Sequence, residues 1–356
     1  MSKARGLADL GNAYSDGALG NRNLIINGGC TISQRYGAAA SNLGGSSVFA
    51  IDRFNCFGPS ASSTSTAQQV TDTPAGFKNS LKYSCGTGLA VTGSDYAQIT
   101  QVLEGNNTAH LKWGTADAQD VTVSFWAKSS LTGTFSFHIN NGAQNRSYVA
   151  QYTIAVANTW EYKTISVSGD TSGTWPSDNT AVIRLVWDMG FGSGVTATVD
   201  TWQAGSLHYV AGNVKVNETS GATFFITGVQ LEVGDTATPF EHRSYGQELA
   251  LCQRYFYRFG ASTSQRIGVH NSAGSGTNSD PVAFPVTMRA TPTGTVSVAA
   301  STLILRTVAD TPSANPTLLA GVGQTPDIWA VSVNVVLASA AQILFFNAVL
   351  HFDAEL

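Results

Sequence analysis

The sequence is poor in charge. Asp, Glu, Lys and Arg make up 12% of its 356 residues, about half the ~25% of an average soluble domain. With 19 basic and 23 acidic residues the net charge is −4. Such a balance offers no basic footprint for a phosphate backbone, which excludes nucleic acid as a main partner. Long apolar runs are missing too. Gly, Ser, Thr or Asn interrupts each one well before the roughly 18–20 residues of a membrane span, so no membrane insertion is expected. The N-terminal stretch has Lys3 and Arg5, then Asp9 and Asp16 and no apolar centre, so no signal peptide is expected either.

The usual reactive constellations are also absent. Cys30, Cys56, Cys85 and Cys252 form no CxxC pair, and a chain of this length needs no staples, so reduced thiols are expected. The six histidines (His110, His138, His208, His242, His270, His351) never fall at HxH or HxxxH spacing, which argues against a local zinc site. No GxSxG, GxxxxGK[ST] or helix-opening GxGxxG occurs. The GFGSG string at 190–194 stands between two strand-like stretches and reads as a turn.

What the chain does have is 43% hydrophobic residues, 10% aromatics and 36 glycines. Aromatic content with little charge argues for a folded chain rather than a disordered one. Residues 1–22 read as a polar arm, because Gly6, Gly11, Gly17 and Gly20 would break any helix there. From Asn23 the pattern turns to β, with clear alternation in Val121–Trp126 and again in Tyr162–Val167. Roughly eleven such stretches up to residue 245, joined by Gly, Asn, Asp, Ser and Pro, predict a two-sheet antiparallel sandwich of the jelly-roll kind. NLIINGGCTI is expected to be its first strand and TFFITGVQLEVG its last. Gln247–Arg254 predicts a short helix, with Glu248 and Arg254 placed to suit its dipole. The expected organisation is an arm at 1–22, a jelly-roll at 23–245, a helical linker at 246–254 and a second, smaller β-sandwich at 255–356. The fold class is all-β.

Sugar binding suits this composition, since exposed rings stack on a sugar's apolar face while Asn, Asp and Gln satisfy its hydroxyls. Trp126, Trp160, Trp187 and Trp329 lie within strand alternation and read as core. Trp175, among turn residues in GDTSGTWPSDN, is either a plug for the end of the sandwich, the preferred reading, or an exposed platform. Trp113 and Trp202 are similar, and with Trp175 and Asp178 they form the candidate ligand-binding set. No cofactor is expected; a structural calcium could draw on Asn27, Glu232 and Asp235, although lone carboxylates near strand ends are usually solvated. Carboxylates from distant strands could converge for glycoside hydrolysis, but Asp95, Asp170 and Asp178 fall in turns where Asp commonly satisfies its own backbone.

Four strings, in order along the chain, carry a resemblance: KARGLADLGNAYSDGALGNRNLIINGG, TWEYKTISVSGDTSGTWPSDN, FFITGVQLEVGDTATPFEHRSYGQELALCQRYFYR and FPVTMRATPTGTV. Together they resemble virion proteins of tailed phages, especially marine and cyanobacterial ones, described as tail-fibre, head-fibre or related structural proteins. NLIINGG with TGVQLEVG also resembles the first and last strands of carbohydrate-binding jelly rolls, a likeness of fold and not of function. The family resemblance implies a non-enzymatic virion component, assembled in the host cytoplasm, commonly a homo-oligomer and for fibres often a homotrimer. It implies anchoring to other virion proteins through the arm, where Lys3, Arg5, Leu7, Leu10, Tyr14 and Arg22 are the candidates. Tyr255, Phe256 and Tyr257, with Phe259, would suit a subunit interface, with packing inside the domain as the default. The leading expectation is a fibre that adsorbs to a host surface glycan. The alternatives are a capsid or tail decoration or connector protein that binds no glycan, and a glycan depolymerase using Asp170 or Asp178.

Overall fold

The structure, a computed structural model, describes residues 22–59, 64–260, 265–270, 276–296, 303–307, 312–314, 317–319, 325–335, 342–346 and 350–356. The arm candidates Lys3, Arg5, Leu7, Leu10 and Tyr14 lie outside them. The chain divides into two compact units, one ending at Glu248 and the other spanning Leu249–Glu355. It is nearly all β, with antiparallel sheets and one α-helix among the described residues.

The first unit holds β1 (Ser41–Asn42), β2 (Ser47–Ile51), β3 (Phe54–Phe57), β4 (Thr66–Val70), β5 (Ser80–Ser84), β6 (Tyr96–Glu104), β7 (Val121–Ser129), β8 (Gly133–Asn141), β9 (Arg146–Ile154), β10 (Glu161–Val167), β11 (Ala181–Phe191), β12 (Trp202–Ala204) and β13 (Thr223–Val233). They form a six-stranded sheet, ordered β1-β4-β5-β13-β7-β10, and a seven-stranded sheet, ordered β12-β9-β8-β11-β6-β3-β2. Strand periodicity sends alternate side chains to the space between the sheets. Val121, Val123, Phe125 and Ala127 enter it from β7, and Phe135, Phe137 and Ile139 enter from β8. Ile183, Leu185 and Trp187 enter from β11. Phe125 meets Trp187 edge-on at 5.7 Å and Phe137 at 6.4 Å, so rings from both sheets interlock. Each large apolar side chain sealed this way contributes roughly 1.5–3 kcal/mol.

The expected first strand is not a ladder. NLIINGGCTI crosses the unit as an irregular strap, because Asn27 and Cys30 take left-handed backbone conformations (φ 62° and 55°) that break an extended run. Side chains supply much of its hydrogen bonding. Gln101 exchanges two 2.9 Å bonds with the Ile26 backbone, Asn23 Oδ1 accepts from Ile25 and Leu231, and Glu248 Oε1 accepts the Asn27 N–H at 2.5 Å. Arg243 closes the strap by donating to the carbonyls of Asn23 and Ile25. Between β11 and β13 the one short strand is Trp202–Ala204. The remainder of 192–217 folds over the outer face of the seven-stranded sheet, where Asp200 N–H bonds Val149 O and Val214 N–H bonds Thr134 O.

Helix α1 (Tyr245–Gln253) begins two residues before the predicted start, with the Ser244 carbonyl accepting the Glu248 N–H at 3.0 Å. The second unit contributes β14 (Phe256–Phe259), β15 (Gln265–His270), β16 (Gly276–Ala283), β17 (Thr293–Val296), β18 (Leu303–Thr307), β19 (Pro312–Ala314), β20 (Thr317–Leu319), β21 (Ile328–Val335), β22 (Gln342–Phe346) and β23 (Leu350–Asp353), in three antiparallel sheets. Tyr255 and Phe256 are buried inside this unit, and Tyr257 stacks on Phe352 at 6.2 Å, so these aromatics already pack within their own domain.

Candidate functional site

A groove of about 400 Å³ lies on the outer face of the seven-stranded sheet. Its floor comes from one pleat of β3, β6 and β11, namely Asn55, Phe57, Tyr96, Gln98, Thr100, Val102, Arg184 and Val186. Asn140 from β8 and Ser206 and His208 from the segment over the sheet line it as well. The register fixes the rungs: Val102 faces Arg184, which faces Asn140 on its other side, and Asn55 faces Thr100, which faces Val186.

A β-bulge adds the last aromatic. On β11, Leu185, Trp187 and Met189 are buried, and unbroken alternation would turn Phe191 inward with them. The register slips between Asp188 and Gly190, and Gly190 supplies the unusual backbone (φ 153°), so Phe191 instead pairs with Tyr96 and lines the groove. The result is a row of rings, Phe57, Tyr96, Phe191 and His208, stacked in sequence. Centroid separations are 4.6, 5.8 and 4.6 Å and interplanar angles 19°, 16° and 20°.

Behind His208 runs a buried polar chain. Ser206 Oγ lies 3.0 Å from His208 Nε2, and His208 Nδ1 lies 3.0 Å from His138 Nδ1. His138 Nε2 is 3.0 Å from Ser136 Oγ, which donates to Asp188 Oδ2 at 2.8 Å. When Asp188 is ionised it only accepts, so each donor points one way: Ser206 to His208, His208 to His138, His138 to Ser136, Ser136 to Asp188. Both imidazoles are then neutral. Burial agrees, pushing His208 down to about 4 and His138 well below the ordinary histidine value, the latter also opposed by the neighbouring His208 charge. Burial pushes Asp188 up to about 7, against the pull of Ser136, the Gly190 N–H and the Lys215 charge. This chain holds the His208 ring against Phe191.

The groove also presents polar atoms with no partner among the described residues. Asn140 is 1% exposed, yet neither atom of its amide is hydrogen-bonded; Thr100 Oγ1 and Arg184 Nε are likewise buried and unpaired. Native proteins rarely leave such groups unsatisfied. Rings beside unpaired amide, hydroxyl and guanidinium groups are chemically suited to a ligand with one apolar face and many hydroxyls.

The tryptophans expected to bind ligand are brought together elsewhere. Trp113, Trp175 and Trp202, from three separate segments, meet edge-to-face with centroids 4.8, 5.4 and 5.6 Å apart. Each indole N–H donates to a backbone carbonyl, of Gln119, Ser172 and Ser168 respectively, and Trp113 is buried. The rings are spent on one another, as a plug. A hollow of about 400 Å³ beside them is lined by Trp113, Trp175, Lys112, Thr115 and Asp117. Asp178 is exposed and accepts from the backbone and hydroxyl of Thr180, which lowers its pKa, so it serves its own turn. Asp170 is buried and held through both oxygens by the Arg146 fork, at 2.8 and 2.5 Å.

Of the tryptophans read as core, Trp187 is fully buried. Trp126 and Trp160 are half-buried outside it, Trp126 against Tyr162 and Trp160 beneath Lys128. The side chain of Trp329 lies outside the described residues. Asn27 and Glu232 spend their oxygens on nearby hydrogen bonds and Asp235 is exposed; among the described residues no three His, Cys, Asp or Glu gather as a metal site. All four cysteines are buried, with no disulfide between them. Arg22, the one arm candidate within the described residues, donates to Pro239 O at 3.2 Å. No helix among the described residues is long and apolar enough to cross a membrane.

The groove residues escaped the sequence reading, although Tyr96, Gln98 and Thr100 share one face of DYAQITQVLE and Arg184 shares a face with Val186 and Asp188. That alternation was the available signal. The bulge that turns Phe191 outward left none.

No family model matches the chain, and no curated protein matches it. Among solved structures it is similar to the enzymatically active domain of bacteriophage CBA120 tailspike protein 4, at 13% identity and a TM-score of 0.31, over 60% of this chain and 22% of that one. It is similar to TmCBM61 in complex with β-1,4-galactotriose, at 10% identity and a TM-score of 0.29, over 60% of this chain and all of that one. A third similarity is to the family 11 carbohydrate-binding module from Clostridium thermocellum in complex with a β-1,3-1,4-mixed-linked tetrasaccharide, at 15% identity and a TM-score of 0.27, over 56% of this chain and all of that one.

Proposed function

We propose that the protein is a structural component of a tailed-phage virion, a fibre that seats a host-surface glycan in the groove of its first unit. The observation that carries glycan binding is the stacked row Phe57–Tyr96–Phe191–His208 beside the unpaired amide of Asn140. A sugar ring laid across the edges of this row, at Tyr96, which is 37% exposed, takes apolar surface out of water while its hydroxyls meet Gln98, Asn55 and Asn140. The virion role rests on the four strings quoted above. In this reading the protein is non-enzymatic and acts as a homotrimer anchored by its arm. The local duties of Asp170 and Asp178 favour this over hydrolysis.

The test is a glycan array probed with the whole chain, followed by calorimetry on any hit. Tyr96→Ala and Phe57→Ala are expected to weaken binding at least tenfold, whereas Trp175→Ala leaves it unchanged. An array that stays blank at high protein concentration refutes the glycan reading and favours a decoration or connector protein.

A further inference from the structure

The groove carries one ionic side chain, Arg184, and no acidic one, and the last residue, Leu356, also lines it. The Arg184 side chain makes no hydrogen bond or ion pair with any described residue, and no Asp or Glu side chain lines the groove with it. Burial lowers its pKa, against a smaller opposing pull from Tyr96, as for a guanidinium that has given up water without gaining a counter-ion. The other arginines near sheet ends show the usual arrangement: Arg146 forks onto Asp170, and Arg243 lies 3.5 Å from both Glu241 and Glu248. A desolvated, unpaired cation is costly unless something outside the chain completes it.

Its neighbour points the same way. Asn140 is the register partner of Arg184, is 1% exposed and lines the groove, and both its amide atoms lack partners. A guanidinium edge and an adjacent amide N–H₂ together offer parallel donors to a planar, two-oxygen anion. One cation matches a single negative charge, where a phosphate dianion would call for more.

We propose that the sugar held in this groove bears a carboxylate, a uronic acid or similar acidic sugar, with the carboxylate on Arg184 and supported by Asn140. This rests on the glycan reading and narrows it: the aromatic row takes the ring face and Arg184 selects for the acid.

The experiment uses the whole chain with oligogalacturonate and alginate oligosaccharides, each paired with its carboxyl-reduced counterpart, free galacturonate, and a sulfated galactan without carboxylates. Calorimetry is expected to show binding to at least one acidic oligosaccharide that falls 30-fold or more on carboxyl reduction. Arg184→Gln is expected to erase that ratio and Arg184→Lys to restore part of it, with far-ultraviolet circular dichroism unchanged in both. Three results overturn the proposal: a reduced oligosaccharide bound as tightly as its acid, a ratio that survives Arg184→Gln, or binding that follows the sulfate instead. Acetate competing as well as free galacturonate would overturn the joint use of ring row and arginine. If no acidic probe binds, the proposal falls, and the neutral members of the array decide separately whether the glycan reading falls with it.

Discussion

Asp188→Asn should make the first unit more stable at alkaline pH and leave it nearly unchanged near pH 4. Burial holds the native Asp188 near 7, whereas in the unfolded chain an aspartate titrates near ~3.9. Between those values the native state keeps a proton that the unfolded state has released, so this residue's contribution is intact below about pH 4 and lost as pH rises to about 7. At ~1.4 kcal/mol per pH unit the loss reaches about 4 kcal/mol. His208 works oppositely. Its native value of about 4 lies below the ~6.5 of the unfolded chain, so it adds stability as pH rises through that interval, by about 3 kcal/mol, and buried His138 acts in the same direction.

Wild-type stability should therefore rise between about pH 4 and 6.5, where two histidines outweigh one aspartate, and then level. Asparagine mimics the protonated acid, keeps an acceptor for Ser136 and cannot ionise. The variant should match wild type near pH 4 and exceed it by about 2–4 kcal/mol at pH 8. Urea unfolding followed by tryptophan fluorescence measures this, since six of the seven tryptophans precede Glu248. A difference between variant and wild type that stays constant from pH 4 to 8, or a variant weaker at pH 8, would refute the reasoning.

Two further outcomes are expected. Trp113→Ala empties the centre of the three-tryptophan plug and should cost about 3–5 kcal/mol, lowering the melting temperature of the first unit by roughly 6–15 °C; calorimetry at 15 °C should show groove binding unaffected. Arg243→Ala removes the donors to the Asn23 and Ile25 carbonyls and leaves Glu248 and Glu241 without their cation. It should cost about 3–5 kcal/mol in urea unfolding, and Arg243→Lys should recover only part, since an ammonium cannot reproduce the fork.

The all-β class and most strands were legible because they depend on local pattern. In Val121–Phe125 or Ile165–Val167, alternation alone says which side chains face the core, whatever the partner strand, whereas Trp126 and Tyr162 beside them lie outside it. The strap at 23–32 defeated that logic: its apolar residues do reach the core, as the strand reading implied, but left-handed Asn27 and Cys30 and the side chains of Gln101, Arg243 and Glu248 replace the ladder. Residue type also picked out Trp113, Trp175 and Trp202 as unlike the strand tryptophans. It could not say that they would spend their faces on each other.

By itself the sequence determined that this chain builds antiparallel β-structure, lacks the basic surplus that a nucleic-acid backbone calls for, and breaks its pattern around residue 247. Each is a local or compositional property, readable without knowing any neighbour. The tertiary structure alone decided where a ligand could sit. Phe57, Tyr96, Phe191 and His208 are separated by as much as 151 positions (57 to 208) and become one surface only through the order β8-β11-β6-β3, a bulge at Asp188–Gly190, and a histidine held by a hydrogen-bonded chain from another strand. Pairing order and register are set by the burial of the whole sandwich, and no local stretch of sequence contains that energy.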